Sequence, residues 1–564
     1  MRILTNHFGY LPNAPKMAVI QAPEGLDQRP ISLIDCRSKQ PVWQGKLQAC
    51  GHVDQWRDWY FYRVDFSEVS ELGHYELKLL VNDQPVASQP FEIRQGLYTD
   101  ELFAAVVDYF GMNRCAGETD EWDHSVGFVD HPEKPRVDVH GGWYDASGDW
   151  SKYLSHLSYA NYLNPQQIPM VVWSMQDCLQ QMPRPVAGLK PLLDEMLFGA
   201  DFLVRMQSPE GYFYMTVFDV WSKDQTRREI CSYKTQQGTK LTSWQAGYRQ
   251  GGGMAIAALA RAARFEQARD YQPADYLAAA IKGFDHLEQH NLEYLDDGQE
   301  NIIDDYCALM AAVELYQTQA DERFAKAAQR RAHNLYNRLS QDSNFNGWLR
   351  ADDQGERPYS HCAEEGLPII AMLAYGQCIP EANQQWVEDL VVQQLGFWQQ
   401  ISTRVTNPFV YPRHYCKPVA GTKQDQFFFT HDNESGYWWQ GENARLASIA
   451  SACLRAKQQL PLSAELAKFA QDFAHQQLHW LLGLNPFSAC MVQGFGYNNP
   501  FYREDWPGHT GGVCNGITSS LYNEHDIALC ETDDPFQNWR WGEQWIPHGA
   551  WFMLLLKDLE KEQA

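Results

Sequence analysis

Two carboxylates four residues apart dominate the run Gly141-Gly142-Trp143-Tyr144-Asp145-Ala146-Ser147-Gly148-Asp149-Trp150-Ser151-Lys152-Tyr153. In a Gly-rich aromatic turn, such carboxylates converge on one small volume, where they repel unless something gains from the pairing. A water held by both would be oriented and polarised, as general-base chemistry requires. The structural alternative is that both cap turns or accept from backbone amides, as most loop aspartates do. A third carboxylate stands late in the chain, in Trp541-Gly542-Glu543-Gln544-Trp545-Ile546-Pro547-His548, just before a terminal apolar helix. Burial against rings raises a carboxyl pKa, and a raised pKa makes Glu543 a proton donor near neutrality. Its structural alternative is a carboxylate complementing a helix N-terminus.

These residues need a scaffold, and hydrophobic periodicity supplies its outline. The first ninety or so residues read as strands: Met17-Ala18-Val19-Ile20, Ile31-Ser32-Leu33-Ile34, the runs over 60–64 and 75–80, and Phe91-Glu92-Ile93-Arg94. Turn signals such as Leu11-Pro12-Asn13 and Asn82-Asp83 separate them, and short strands at this spacing suggest a small β-sandwich. Gln95-Gly96 is the junction, dividing the chain into residues 1–95 and 96–564. Beyond it the period becomes 3.6, with Leu102-Phe103, Val106-Val107 and Phe110 leading the first of twelve expected helices. They are placed near 99–113, 169–182, 188–207, 251–266, 272–290, 302–318, 321–339, 362–375, 380–403, 442–457, 463–482 and 549–561. Twelve consecutive helices fit six hairpins closed into an (α/α)6 barrel; a solenoid would show a repeated sequence period, which is absent. The Ala-rich stretch Gly253 to Ala260 permits close helix packing. Four connections, 114–168, 208–250, 404–441 and 483–548, are too long to be mere links. The last carries eleven aromatics: Phe487, Phe495, Tyr497, Phe501, Tyr502, Trp506, Tyr522, Phe536, Trp539, Trp541 and Trp545. Rings in such loops favour a lined cleft over a core.

Composition narrows the function classes. A net charge of −25 disfavours binding to a phosphate backbone, and no apolar stretch is long enough for a membrane helix. Thirteen cysteines include no C-x-x-C pair and no zinc spacing, so reduced thiols are the simplest expectation. The opening residues lack the apolar core of a signal peptide, so a cytoplasmic location is expected.

A pair of carboxylates early and a lone acid late match the division of labour in glycoside hydrolysis. At this point the chain resembles the family 9 glycoside hydrolases, cellulases and related enzymes that cleave β-1,4 links between gluco-configured sugars. The stretch Asn6 to Lys16 is similar to the opening of the immunoglobulin-like domain that precedes many of their catalytic domains. Gly141 to Tyr153 resembles the double-Asp signature, and Leu481-Leu482-Gly483-Leu484-Asn485-Pro486 with Gly494-Phe495-Gly496 resembles the start of the final barrel loop. Glu543 matches the position of the acid. The resemblance implies that Asp149 is the general base, Asp145 shares the attacking water and Glu543 is the general acid, with inversion in a single step. Two departures stand out. The usual Asp-Ala-Gly-Asp is here Asp145-Ala146-Ser147-Gly148-Asp149, one residue longer, and a usual His-His-Arg stretch is replaced by Asn498-Asn499-Pro500-Phe501-Tyr502.

The expected sugar contacts are Trp143, Tyr144, Tyr502 and Trp541 beside the carboxylates, Arg413 and His414 in a long loop, and Trp439 and Glu442 at a helix start. His361 and Glu365 are weaker candidates. For each, a structural hydrogen bond is an equal alternative. The expected partner is a small carbohydrate, with no nucleic acid and no membrane, and an oligomeric state the sequence does not specify. No cofactor is required; the resemblance allows a structural calcium, for which no loop offers a diagnostic ligand pattern. A cytoplasmic enzyme meets short oligosaccharides, and the resemblance extends to a branch that is exo-acting on glucosamine-containing or cello-type disaccharides. An exo-β-glucosaminidase is therefore expected, with Asp138, Glu365, Asp432, Glu434 and Glu442 as spare carboxylates for an amino group. The alternatives are a cellobiase or endoglucanase, an inactive carbohydrate-binding protein, and an (α/α)6 lyase acting on uronates.

Overall fold

The computed structural model describes residues 1–26, 28–506 and 508–563. Ten strands open the chain: β1 (Arg2–Leu4), β2 (Gly9–Tyr10), β3 (Met17–Ala22), β4 (Pro30–Asp35), β5 (Pro41–Lys46), β6 (Gln48–His52), β7 (Tyr60–Asp65), β8 (Gly73–Val81), β9 (Gln84–Ala87) and β10 (Phe91–Ile93). They form two sheets, ordered β1-β3-β7-β6 and β2-β10-β8-β4-β5, with β9 paired to β8. On β8 the side chains of Tyr75, Leu77 and Leu79 alternate inward, opposite Leu33 and Ile31 of the antiparallel β4. Every residue of β3 is buried, because this sheet is covered on both sides. Ala18 and Ile20 face the sandwich core, whereas Val19 joins Leu4, Trp56 and Phe61 in the core of the helical domain. Trp56 meets Phe427 and Trp480 there, and His7 stacks on Tyr497 at 3.4 Å.

All twelve expected helices are present, with shifted ends. They are α1 (Leu102–Met112), α3 (Ile168–Gln181), α4 (Leu189–Arg205), α5 (Gly252–Ala262), α6 (Pro273–Tyr294), α7 (Ile302–Thr318) and α8 (Glu322–Tyr336). The set continues with α9 (Leu367–Cys378), α10 (Gln384–Thr403), α11 (Asn443–Gln459), α12 (Ala464–Leu481) and α14 (Ile546–Gln563). Two short helices, α2 (Glu118–Asp123) and α13 (Pro535–Gly542), escape the periodicity. The first has a mostly polar sequence, and the second shows only a start signal, Asp534 capping Phe536 N–H at 3.0 Å before Pro535.

The inner helices close a ring: α3 packs on α5, α5 on α7, α7 on α9, α9 on α11, α11 on α14, and α14 back on α3. The outer layer is α1, α4, α6, α8, α10 and α12, each against its inner neighbour. This is the (α/α)6 barrel. Its inner helices are buried almost all round; at Gly253 an added Cβ would come within 2.7 Å of Cys307 Cβ, which is why small residues fill α5. Ring closure turns the starts of the inner helices toward one end, and the four long loops run into α3, α5, α11 and α14 there.

Candidate active site

A cavity of about 510 Å³ lies among those loops, and each of its lining residues comes from one of the four. The first contributes Asp145, Asp149 and His156; the second Trp221, Lys223 and Tyr233; the third Tyr437, Trp438 and Gln440. The last adds Tyr502, Arg503, Asp505, Trp506, Phe536, Trp539, Glu543 and Trp545.

Buried bonds hold the double-Asp turn in shape. Asp145 N–H donates to Ser151 O at 3.0 Å and Asp149 N–H to Ala146 O at 3.1 Å. Just beyond the turn, the fully buried Lys152 ammonium donates to Val139 O and Gly141 O, each at 2.7 Å, and pairs with Asp123 at 2.6 Å. The two ends of the turn are thereby tied together. The segment bearing Glu543 pairs directly with this turn: Ser147 N–H donates to Gln544 O and Ile546 N–H to Asp145 O, both at 3.0 Å.

The two aspartates sit in unequal surroundings. Asp145 Oδ1 accepts from the Trp545 indole at 2.9 Å and from the Gln167 amide, while Asp149 Oδ1 accepts from Ser151 N–H at 2.9 Å. Burial, then the negative charges of Asp145 and Asp219, push the Asp149 carboxyl well above the ordinary range. Burial likewise raises Glu543 well above its ordinary value, reinforced by Asp145 and Asp149. One buried carboxyl that gives up its proton late, beside a carboxylate pair that shares negative charge, is the electrostatic arrangement acid–base chemistry needs.

Of the expected sugar contacts, Tyr502 lines the cavity. Trp143 does not: it is fully buried between Phe110 and Phe198, its indole donating to Glu195 at 3.0 Å. Tyr144 packs beside Trp150 outside the lining. Arg413 is spent on Asp425 at 2.6 Å, and His414 on Glu442 at 2.7 Å. Glu442 also accepts from Tyr411 and Arg445, both at 3.0 Å; burial alone would raise its carboxyl, but His414 and Arg445 hold it below its ordinary value. Trp439 is sandwiched by the His431 ring at 3.8 Å and the Arg540 guanidinium at 4.0 Å, and Trp541 is fully buried against its edge. His361 accepts from the amides of Ala363 and Glu364 in the turn that precedes α9, not in a helix as expected. These residues build the walls from behind.

The spare carboxylates fare the same way. Glu365 pairs with Arg445 and Glu434 with Arg357; Asp138 sits beside His124 and His140, and Asp432 caps Ala420 N–H at 2.9 Å. None of them lines the cavity, so an amino-sugar contact through them is excluded by position. The fourth cavity carboxylate is Asp505, which pairs with Arg503. His156, Tyr233, Lys223 and Arg503 carry no sequence signal; they enter the site only because the loops that bear them meet in space. Five of the eleven aromatics in the last loop line the cavity, whereas Phe487, Phe495 and Tyr497 pack against the β-sandwich residues Trp59, Phe8 and His7.

Comparison with known proteins agrees with this architecture. The model of glycosyl hydrolase family 9 matches residues 99–504, which include both aspartates and end before Glu543. That of the cellulase N-terminal Ig-like domain matches residues 1–82. A xyloglucan-specific endo-β-1,4-glucanase of Bacteroides ovatus is 24% identical over 529 residues, 88% of this chain and 81% of that protein. A cellodextrinase of Butyrivibrio fibrisolvens is 28% identical over 243 residues, 39% of each chain. Among solved structures, Bacteroides ovatus GH9 superposes with a TM-score of 0.68 at 21% identity, over 100% of this chain and 99% of its own. A metagenome-derived family 9 endoglucanase gives 0.67 at 18%, over 99% of both. With the family match spanning most of the chain and the barrel, sandwich and acidic cavity all in place, this protein belongs to glycosyl hydrolase family 9 and is a glycosidase.

Proposed function

We propose that the enzyme hydrolyses β-1,4 links in short gluco-configured oligosaccharides, with inversion at the anomeric carbon. The observation that carries this reading is the meeting of Asp145, Asp149 and Glu543 around one aromatic-walled cavity. Asp149 takes a proton from the attacking water, Asp145 orients that water, and Glu543 protonates the departing glycosidic oxygen. Inverting enzymes leave room for the water between base and acid, and the sugar departs in one displacement with no covalent intermediate. Trp438, Trp545 and Trp221 offer apolar surface to a pyranose.

Short substrates are favoured by two links between the second and fourth loops. Gln236 donates to Phe536 O at 2.9 Å, and the Lys223 ammonium lies 5.2 Å from the Trp506 ring centroid. A polymer lying along a groove needs an open path between such loops; here they touch. The relatives bear names for action on xyloglucan and cellodextrins, which favours glucose at the cleavage subsite. A second reading, glucosamine at that subsite, is favoured by the acidic lining: with Asp505 paired to Arg503, Asp145 and Asp149 share the cavity with one further cation, Lys223. A charge-assisted bond to an ammonium contributes about 1.5–3 kcal/mol, roughly ten- to a hundredfold in selectivity.

Hydrolysis of cellobiose, cellotriose, the glucosamine dimer, the N-acetylglucosamine dimer and xyloglucan, followed by NMR, tests these statements together. The α anomer forms first from a β-linked substrate, and the N-acetylated dimer is a poor one. First appearance of the β anomer would refute inversion, and activity confined to xyloglucan would refute the short-substrate reading. A glucosamine dimer cleaved no faster than cellobiose would dismiss the second reading alone.

A further inference from the structure

Beside the double-Asp turn, His156 is a cavity residue that the acid–base scheme does not use. It is 8% exposed, and its ring packs at 4.0 Å from Tyr153 and edge-on to Trp545. Its Nδ1 lies 2.9 Å from the Tyr233 hydroxyl, and its Nε2 lies 3.2 Å from Asp145 Oδ2, within ion-pair reach though misaligned as a hydrogen bond. Burial, then Tyr437, Asp145 and Asp149, keep Tyr233 in its neutral form, so its O–H is available to Nδ1. When Nδ1 accepts that proton, the neutral imidazole carries its own on Nε2; when the ring is charged, both nitrogens carry one. Either way the ring edge that carries the Nε2 proton lies against Asp145 Oδ2, a close electrostatic contact and not an aligned hydrogen bond.

This makes the pair asymmetric. Asp145 gathers the Trp545 indole, the Gln167 amide and His156, whereas Asp149 accepts from Ser151 and faces a second carboxylate, Asp219, which itself accepts from the Ser151 hydroxyl at 3.0 Å and from the Lys223 N–H at 2.8 Å. We propose that His156, fixed by Tyr233, is a positioning residue that sets its proton-bearing ring edge against Asp145 Oδ2, so that Asp149 is the member of the pair that takes up the proton. The inference rests on the inverting glycosidase reading and deepens it. It assigns the acidic limb of the pH–rate profile to a histidine–tyrosine dyad outside the double-Asp motif.

The other titratable groups around the pair come from each packed segment: Tyr109 from α1, Tyr153 from the same loop, Tyr233 and Asp219 from the second, Tyr437 from the third, and Glu543 and Tyr502 from the last. The cavity's lysine and arginine, Lys223 and Arg503, both lie over Trp506. Among the described lining residues, His156 is thus the basic group placed directly on Asp145.

The test compares His156→Ala, His156→Gln and Tyr233→Phe. Removing the donor raises the proton affinity of the pair, so the acidic limb of kcat/KM in His156→Ala moves up by about one pH unit. Tyr233→Phe, nearly isosteric, moves it in the same direction by less, and serves if the alanine variant fails to fold. His156→Gln keeps a donor and restores most of the shift. An acidic limb that stays in place in both His156→Ala and Tyr233→Phe overturns the proposal, whatever the loss in kcat. Difference infrared titration of the carboxyl bands in Asp149→Asn, with and without His156→Ala, reads Asp145 without turnover. A shifted band there alongside undiminished activity of Asp149→Asn would reject the glycosidase roles while leaving the dyad; an unshifted band rejects the dyad alone.

Discussion

Ser147 is bonded twice to Gln544: its hydroxyl donates to Oε1 at 2.7 Å, and its backbone N–H donates to the carbonyl oxygen at 3.0 Å. The two residues are 397 positions apart, yet their pairing fastens the double-Asp turn directly to the segment that carries Glu543. Ser147 lies within the stretch that makes this turn one residue longer than Asp-Ala-Gly-Asp, so the departure from the family pattern is used to join base and acid.

Gln544→Ala removes this side-chain bond together with two to His509, at 2.8 and 3.0 Å. Buried neutral hydrogen bonds contribute about 1 kcal/mol each, so unfolding in urea shows a loss of about 2–4 kcal/mol. Turnover falls about tenfold with KM little changed, because the acid and base lose register. A destabilised variant with full kcat would show that the backbone bond suffices.

Glu543→Gln and Asp149→Asn differ in their dependence on the leaving group. Losing the acid costs about 10²–10⁴ in kcat on a disaccharide and much less on a nitrophenyl glycoside, which departs unaided. Losing the base costs heavily on both. Steady-state rates of both variants on both substrates check this, and equal losses throughout would remove the assigned roles.

The raised Glu543 carboxyl makes a statement about stability. Its native proton affinity exceeds that of the unfolded chain, where the ordinary value is 4.5. Its contribution is therefore complete below about pH 4.5 and is lost as pH rises through the higher native value. At neutral pH Glu543→Gln, which has no charge to bury, melts a few degrees above the parent, and the gap narrows as pH falls. Calorimetry from pH 4.5 to 8 measures it; a parent that melts above the variant at pH 7 contradicts the assignment.

Gly148 has φ of +88°, and a Cβ there would fall within 2.7–2.9 Å of Trp506 Cβ, Cγ and Cα. Gly148→Ala must displace either the base-bearing turn or the Trp506 wall. It costs about 1–3 kcal/mol in stability and most of the activity. Near-normal turnover in this variant would show that the turn and the Trp506 loop move independently.

Elements and their order were legible along the chain because periodicity is a local property. The runs led by Leu102-Phe103 and Gly253 to Ala260 lie in α1 and α5, and Met17 to Ile20 lies in β3. Asp145, Asp149 and Glu543 could be singled out because each stands among glycines and rings in a loop too long to be a link. The facing of a polar or aromatic side chain was not legible, since a buried ion pair and a sugar contact use the same residue types. His414 and Glu442, 28 positions apart, satisfy each other, as do Glu365 and Arg445, 80 apart; only the meeting of distant loops decides that they are spent on structure. The same holds for rings. Trp541 and Trp545 flank Glu543 alike in sequence, yet the C-terminus of α13 turns Trp541 into the core, while the start of α14 turns Trp545 toward Asp145. Local pattern determined the barrel, the sandwich and the three carboxylates; closure of the ring decided which neighbours they have.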